Sequence, residues 1–167
     1  MKIALLDSNF FKMNGFLGEF EATLDAKGRF LLPAGFKKQL VENAMNQFVI
    51  NRGFERCLSL FAMNEWNPIF DKLKLLNDFD PKVREFKRYY LAGATFVELD
   101  SAGRLLVPGN LVEFAELGKD IVLAANTNKI EIWDKNKYKQ LFDPFSADKY
   151  SELARQVMTG DNFTPIH

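Results

Sequence analysis

The chain has 167 residues, 47% of them hydrophobic, which is enough to bury the core of one compact domain or of two small ones. Basic and acidic residues number 22 each, so no overall charge draws the chain to nucleic acid or to an anionic membrane, and any DNA contact must be a local patch. Cys57 is the only cysteine and His167 the only histidine, which excludes an intrachain disulfide and a zinc site of four cysteine or histidine ligands.

Two segments of the chain are alike. Residues 24–33 read LDAKGRFLLP and residues 99–108 read LDSAGRLLVP, with six identical positions of ten at an offset of 75 residues. We therefore divide the chain into an N-terminal extension (1–15), a first repeat (16–62), a helical linker (63–93), a second repeat (94–141), and a C-terminal helix and tail (142–167).

Each repeat is predicted to have the order β-β-α-β-β. In the first, a strand over 19–24 enters the Asp-x-x-Gly turn, a second strand ends at Pro33, a helix runs to about Glu42, and a hairpin turns near 51–53. The linker is predicted to form helices over 64–77 and 80–91. The second repeat follows from 95, with its helix ending near Leu117 and its hairpin turning near 126–128. A last helix is expected from Ser146 to about Met158, and residues 160–167 are expected to be frayed.

Four short strands cannot close a core alone, so we expect both repeats to build a single barrel as a pseudo-dimer within one chain. The fold class is then α+β, mainly β, with linking helices. The pseudo-symmetry places Arg29 and Arg104 in related environments. The 17 phenylalanines indicate a Phe-rich interior or a subunit interface.

The duplicated motif, together with Phe16-x-Gly18, Glu65-Trp66, Gly93-Ala94 and the segment NKIEIW at 128–133, resembles the MraZ family from about Phe16 to Tyr138. The resemblance implies an AbrB-like, swapped-hairpin fold and sequence-specific binding to double-stranded DNA at repeated promoter sites. It also implies a cyclic homo-oligomer, regulation of the division and cell-wall gene cluster that holds the family's own gene, and a nucleoid-associated protein.

The family's signature falls on two pairs of residues in this chain, Asp25 with Arg29 and Asp100 with Arg104. An arginine beside a rigid turn can present its guanidinium to guanine O6 and N7, so the resemblance implies that both arginines contact DNA. The aspartates are expected to orient the motif by accepting hydrogen bonds. The glycines that permit the turns, Gly28 and Gly103, are expected to share that orienting role.

Three lysines are candidate contacts to the DNA backbone. Lys27 lies inside the first motif, whereas Lys37 and Lys38, on the first helix, are either a phosphate-facing pair or an ordinary solvated face. Ala102 replaces Lys27 in the second motif, so we expect the first repeat to dominate DNA affinity.

The sequence departs from the family at three further places. Leu17 and Val112 stand where the family often has a basic residue, which removes possible phosphate contacts. Residues 1–12 precede the usual start of the family.

Other classes of function explain the sequence less well. No histidine is placed as a general base, and no P-loop, dinucleotide-binding turn or nucleophile elbow occurs, so we expect neither an enzyme nor a cofactor, and no metal site. No segment has the features of a signal peptide, and none has the roughly 18 consecutive apolar residues of a membrane span, so we expect a cytoplasmic protein with no membrane partner. The competing interpretation is an oligomeric protein-interaction scaffold that does not bind DNA.

Overall fold

The computed structural model describes residues 15–40 and 46–159. The elements of the first repeat are β1 (Glu19–Thr23), β2 (Arg29–Leu31), α1 (Ala34–Lys37), β3 (Gln47–Arg52) and β4 (Leu58–Ala62). The linking helices are α2 (Met63–Leu75) and α3 (Pro81–Leu91). The elements of the second repeat are β5 (Thr95–Glu98), β6 (Arg104–Leu106), α4 (Gly109–Phe114), β7 (Asp120–Asn126) and β8 (Lys129–Asp134). The remaining helices are α5 (Lys135–Phe142) and α6 (Ala147–Thr159). The α+β class and the β-β-α-β-β order of both repeats are confirmed.

The strands of the two repeats interleave in one antiparallel sheet, in the order β1-β7-β8-β4-β3-β5. Each repeat keeps its own hairpin, β3–β4 or β7–β8, but its first strand pairs with the third strand of the other repeat. Strands β4 and β8 join the two hairpins at the centre. This order reads the same from either end when the repeats are exchanged, as the predicted pseudo-dimer requires.

The expected barrel is not closed. Strands β1 and β5 form the two ends of the sheet, and within the described residues they do not pair with each other. The reason is that β2 and β6 leave the sheet and pair together as a separate two-stranded ribbon. Phe30 and Leu105, at the middle of the ribbon, are each 1% exposed and belong to the main core. The ribbon therefore covers the core by side-chain packing and not by hydrogen bonds to the six-stranded sheet.

The short helices α1 and α4 pack onto the same core. Phe36 and Leu111 are both fully buried, and burial of such a side chain contributes about 1.5–3 kcal/mol. Both helices are shorter than predicted. In α4 the chain turns at Glu116, whose φ is +51°, and the Leu117 N–H bonds the Val112 carbonyl, so the helix ends before Leu117.

The linking helices cover the opposite face of the sheet. Trp66 of α2 packs against Val49 and Phe61, which alternate along their strands with residues of the main core. Tyr90 of α3 stacks on Trp66 with ring centroids 6.2 Å apart. Helix α2 begins at Met63 with Ala62 as its N-cap rather than Asn64, because β4 runs directly into the helix.

The chain divides into two compact units, the first ending at Lys135 and the second beginning at Asn136. The second unit holds most of α5 and all of α6, and the predicted C-terminal helix is confirmed as α6. The expectation that residues 160–167 are frayed concerns a segment outside the described residues. Within the described part of the chain, no helix combines the length and hydropathy that crossing a membrane requires.

Candidate nucleic-acid interface

The Asp25 turn connects β1 to β2 and is held by one carboxylate. Asp25 Oδ1 accepts hydrogen bonds from the backbone N–H groups of Lys27 and Arg29, both at 2.9 Å. Gly28 lies at φ +80°, a conformation that glycine adopts without a steric penalty, and its N–H bonds the Asp25 carbonyl. The motif thus folds into a tight turn whose conformation depends on its aspartate and its glycine.

The second carboxylate oxygen is used for the arginine. Asp25 Oδ2 accepts from Arg29 Nε at 2.7 Å, which fixes the guanidinium plane beside the turn. The two terminal amino groups of Arg29 have no hydrogen-bond partner within residues 15–40 and 46–159. They form the fork that matches two acceptors on one base edge.

The second turn repeats this geometry. Asp100 Oδ1 accepts from the N–H groups of Ala102 and Arg104 at 2.9 Å, and Asp100 Oδ2 accepts from Arg104 Nε at 2.9 Å. Gly103 lies at φ +78°. The sequence duplication is therefore a duplication of side-chain geometry, and in the described part of the chain the terminal amino groups of Arg104, like those of Arg29, have no hydrogen-bond partner.

These hydrogen bonds stabilise the ionised aspartates. The backbone N–H of Arg29 and then its guanidinium lower the pKa of Asp25, and Arg104 lowers the pKa of Asp100 in the same order of causes. Both carboxylates are therefore charged at neutral pH. They orient the arginines and are unsuited to donating a proton.

The ribbon brings the two arginines onto one face. Strands β2 and β6 pair antiparallel, with Arg29 opposite Leu106 and Leu31 opposite Arg104. Directly opposite residues point to the same side, as do residues two apart on one strand, so these four side chains share the outer face. Leu31 is 60% exposed and Leu106 is 52% exposed. The ribbon thus presents two arginines at diagonal corners and two leucines at the other corners.

The predicted lysines lie at different places around the turns. Lys27 is exposed on the Asp25 turn. Lys37 lies against the other turn, since a Cβ built on Gly103 would collide with Lys37 Nζ. Lys38 is exposed at the end of α1, and no described contact ties it to either turn. The Asp100 turn therefore has a lysine beside it, Lys37, although Ala102 stands where the Asp25 turn has Lys27.

A comparison with known protein families identifies the repeat. The family model described as "MraZ protein, putative antitoxin-like" matches residues 16–89 and then residues 90–159. The chain belongs to the MraZ family. This confirms the resemblance drawn from the duplicated motif.

Curated relatives in the MraZ family align over most of the chain. The Transcriptional regulator MraZ of Christiangramia forsetii is 43% identical over 92% of this chain and 99% of its own length. The protein of the same name from Flavobacterium psychrophilum is 41% identical over 90% of this chain and 96% of its own length. That from Natranaerobius thermophilus is 36% identical over 87% and 99%. These MraZ proteins are named as transcriptional regulators and not as enzymes, in agreement with the sequence analysis.

One basic residue of this MraZ-family chain near the turns was missed from sequence. Lys119 precedes β7, and its carbonyl accepts the N–H of Leu24, one residue before the Asp25 turn, at 2.8 Å. The matching bond in the other half joins the Leu99 N–H to the Asn46 carbonyl. No local signal marks Lys119, because it comes close to the turn through the pairing of β1 with β7, and it lies 95 residues after Leu24 in the sequence.

Within residues 15–40 and 46–159, no three histidine, cysteine, aspartate or glutamate side chains form a group that could hold a metal ion. Burial raises the pKa of the Cys57 thiol to about 12, so this cysteine is a packed apolar side chain rather than a nucleophile.

Proposed function

We propose that the protein is a transcriptional regulator that binds double-stranded DNA in a sequence-specific manner through the β2–β6 ribbon. The relatives that align over most of the chain are named transcriptional regulators. The observation that carries the proposal is the paired geometry of Arg29 and Arg104, each fixed through Nε by an aspartate, with terminal amino groups that have no partner among the described residues.

The ribbon suits the major groove, which is about 12 Å wide and admits a two-stranded β-ribbon. In this arrangement Arg29 and Arg104 donate to guanine O6 and N7, and Asp25 and Asp100 hold them in position. The exposed leucines, Leu31 and Leu106, would contact thymine methyl groups, the apolar feature of that groove. Each good bidentate contact is worth about 1–3 kcal/mol of discrimination against the wrong base.

The lysines supply the part of the affinity that does not depend on base sequence. We assign Lys27, Lys37 and Lys38 to phosphate contacts, which position a protein on the duplex. Gly28 and Gly103 keep the turns in the conformation that aims the arginines. With a net charge of zero, a single subunit has little general attraction for DNA.

A cyclic homo-oligomer would compensate for this weak attraction. Several ribbons binding repeated promoter sites at once raise the overall affinity without any new contact, since the later binding events become intramolecular. Large apolar side chains exposed in the first unit are consistent with contact between subunits: Phe54 at 79%, Phe79 at 93% and Tyr89 at 70% exposure.

The target and location follow from family membership as further proposals. We infer that the protein acts on the promoter of the division and cell-wall gene cluster that contains its own gene. A regulator of that cluster works in the cytoplasm, in association with the nucleoid.

The alternative is an oligomeric interaction scaffold that does not bind DNA. The exposed aromatic side chains favour it equally, because they fit a protein partner as well as a second subunit. It leaves the matched arginines unexplained, since an exposed ion pair contributes less than about 1 kcal/mol to stability.

The test is a fluorescence titration of labelled DNA from upstream of the protein's own gene, at two salt concentrations. Wild type is compared with Arg29→Ala, Arg104→Ala and the double variant. Arg155→Ala, on α6, is the matched control, because it also removes an arginine that pairs with a carboxylate. We expect specific, salt-sensitive binding that falls about 5- to 150-fold in each single variant, as loss of 1–3 kcal/mol implies, and that disappears in the double variant.

Two outcomes would count against the proposal. Unchanged specific affinity in Arg29→Ala would remove the assignment of the turns. A folded wild-type oligomer that binds no DNA at low salt would favour the scaffold. Circular dichroism and the oligomer size of each variant establish that assembly is intact.

A further inference from the structure

The two turns obtain their lysines in different ways. The Asp25 turn carries Lys27 within its own motif, whereas the Asp100 turn has Ala102 at that position. Lys37 belongs to α1 of the first repeat, yet its Nζ lies over Gly103 of the second, in the space that a Cβ would occupy.

The equivalent position in the other half carries no cation. Phe36 corresponds to Leu111, so Lys37 corresponds to Val112, which is half-buried against the main core. A Cβ on Gly28 would meet only the Val107 carbonyl oxygen, at 3.3 Å, and no side chain. The first repeat therefore supplies both lysines: Lys27 to its own turn, and Lys37 of α1 to the turn of the second repeat, which has no lysine of its own.

The ammonium of Lys37 is available to an anion. It has no hydrogen-bond or ion-pair partner within the described residues, although the chain holds as many acidic as basic side chains. It lies at the edge of a cavity of about 420 Å³ lined by Lys37 and by residues 99–103 of the turn, among others. An ammonium with no partner among the described residues, beside the turn that positions Arg104, suits a phosphodiester oxygen of the strand next to the base that Arg104 reads.

We propose that Lys37 of the first repeat is the phosphate contact of the second repeat's turn, acting together with Arg104 and not with Arg29. This inference rests on the proposed DNA binding and assigns a partner to one of its lysines. It places one arginine and one lysine at each turn, with both lysines supplied by the first repeat.

The test is a set of double-mutant cycles with the same promoter DNA, at a salt concentration low enough for every variant to be measured. Lys37→Ala and Lys27→Ala are each combined with Arg29→Ala and with Arg104→Ala. Lys72→Ala, an exposed lysine on α2 across the sheet, controls for the change in net charge. Replacing a lysine should weaken binding only while the arginine of the same turn is present, because without that arginine the turn no longer docks on the DNA and the lysine has no contact to lose.

We expect Lys37→Ala to weaken binding roughly 3- to 10-fold and to lower the salt dependence by about one released ion, as one lost phosphate contact implies. This loss persists in the Arg29→Ala background and vanishes in the Arg104→Ala background, whereas Lys27→Ala shows the reverse pattern. Ala102→Lys restores the affinity of Lys37→Ala, because it returns a lysine to the same turn.

The outcomes separate this inference from the proposed function. Wild-type binding that needs both arginines but is unaffected by Lys37→Ala overturns the role of Lys37 alone, as does coupling of Lys37 to Arg29. If wild type binds no DNA, the proposed function and this inference fail together. Equal effects of Lys37→Ala and Lys72→Ala would show only an effect of net charge and would also overturn it.

Discussion

At the scale of single residues, each aspartate in the two turns has two separate tasks. One oxygen of Asp25 accepts two backbone N–H groups and holds the turn, while the other accepts only from Arg29. The hydrogen bonds that hold the turn therefore do not involve the arginine side chain. Arg29→Ala therefore tests DNA binding without disturbing the turn, because the variant keeps the backbone hydrogen bonds to Asp25 and loses only the guanidinium.

The same hydrogen bonds predict how stability depends on pH. Asp25 and Asp100 have pKa values lowered below 3.8 in the folded protein, mainly by backbone N–H donors. A lowered folded pKa gives stability that is fully present above the unfolded value and is lost as the pH falls through the folded value. We expect urea unfolding from pH 7 to pH 3 to show a stability difference between wild type and Asp25→Asn/Asp100→Asn that shrinks below pH 3.8.

Titration followed by carbon NMR provides the residue-specific check. In Arg29→Ala the pKa of Asp25 should rise but stay below 3.8, because the backbone N–H of residue 29, which lowers this pKa most, still donates to the carboxylate. A carboxyl pKa at or above 3.8 in wild type would contradict the hydrogen-bonded geometry.

At the scale of elements, the turns depend on two glycines in a left-handed conformation. Gly28 and Gly103 lie at φ +80° and +78°, where a side chain costs about 1–2 kcal/mol. We expect Gly28→Ala and Gly103→Ala each to lower the free energy of unfolding by about that amount, measured by urea denaturation. Only Gly103→Ala also displaces the ammonium of Lys37, so it should change DNA affinity by a second route.

Gly109 offers the matched control. It begins α4, has no positive φ, and a Cβ built there meets nothing within 4 Å. Gly109→Ala should leave stability unchanged or raise it by up to about 1 kcal/mol, because alanine is the better helix former. A similar loss in all three variants would mean that backbone conformation is not what the turns require.

Local patterns predicted most elements but not their limits. The Asp80 cap, whose side chain accepts the Lys82 N–H, follows from a residue type that favours that position. The hairpin turn near 126–128 is also where the sequence predicts it, although its left-handed residue is the β-branched Thr127, at φ +58°, and not one of the flanking asparagines. The ends of α1 and α4 did not follow, because burial of Phe36 and Leu111 needs only one or two turns of helix. Tertiary packing decided where those helices stop.

At the scale of the whole molecule, the duplication predicted pseudo-symmetry but not which strands would pair. Alternation of apolar residues predicts that each strand has a buried face. It does not predict that β1 and β5 pair with strands of the other repeat, because no pattern within either strand specifies its partner. The closed barrel was expected for the same reason: nothing in β2 or β6 indicates that they would form their own ribbon. The sequence alone therefore identifies Asp25, Arg29 and their counterparts as candidate site residues. The positions of Lys37 and Lys119 near the turns are known only from the fold.

The exchanged strands lead to a prediction about each repeat in isolation. In a fragment of residues 16–93, β1 lacks its partner β7, β3 lacks β5, and β4 lacks β8. The main core also loses every side chain that the second repeat contributes, including Leu105, Leu111 and Ile121. We expect the fragment either to be unfolded or to dimerise, with a second copy supplying the missing strands, as circular dichroism and sedimentation would reveal.

Mixing fragments 16–93 and 94–167 should restore a folded one-to-one complex, because the repeats are held together by strand pairing and by a shared core rather than by the linker. A fragment 16–93 that unfolds cooperatively as a monomer would show that one repeat closes its own core. In that case the interleaved sheet would be a docking arrangement of two independent domains, and the ribbon's two arginines could be presented separately.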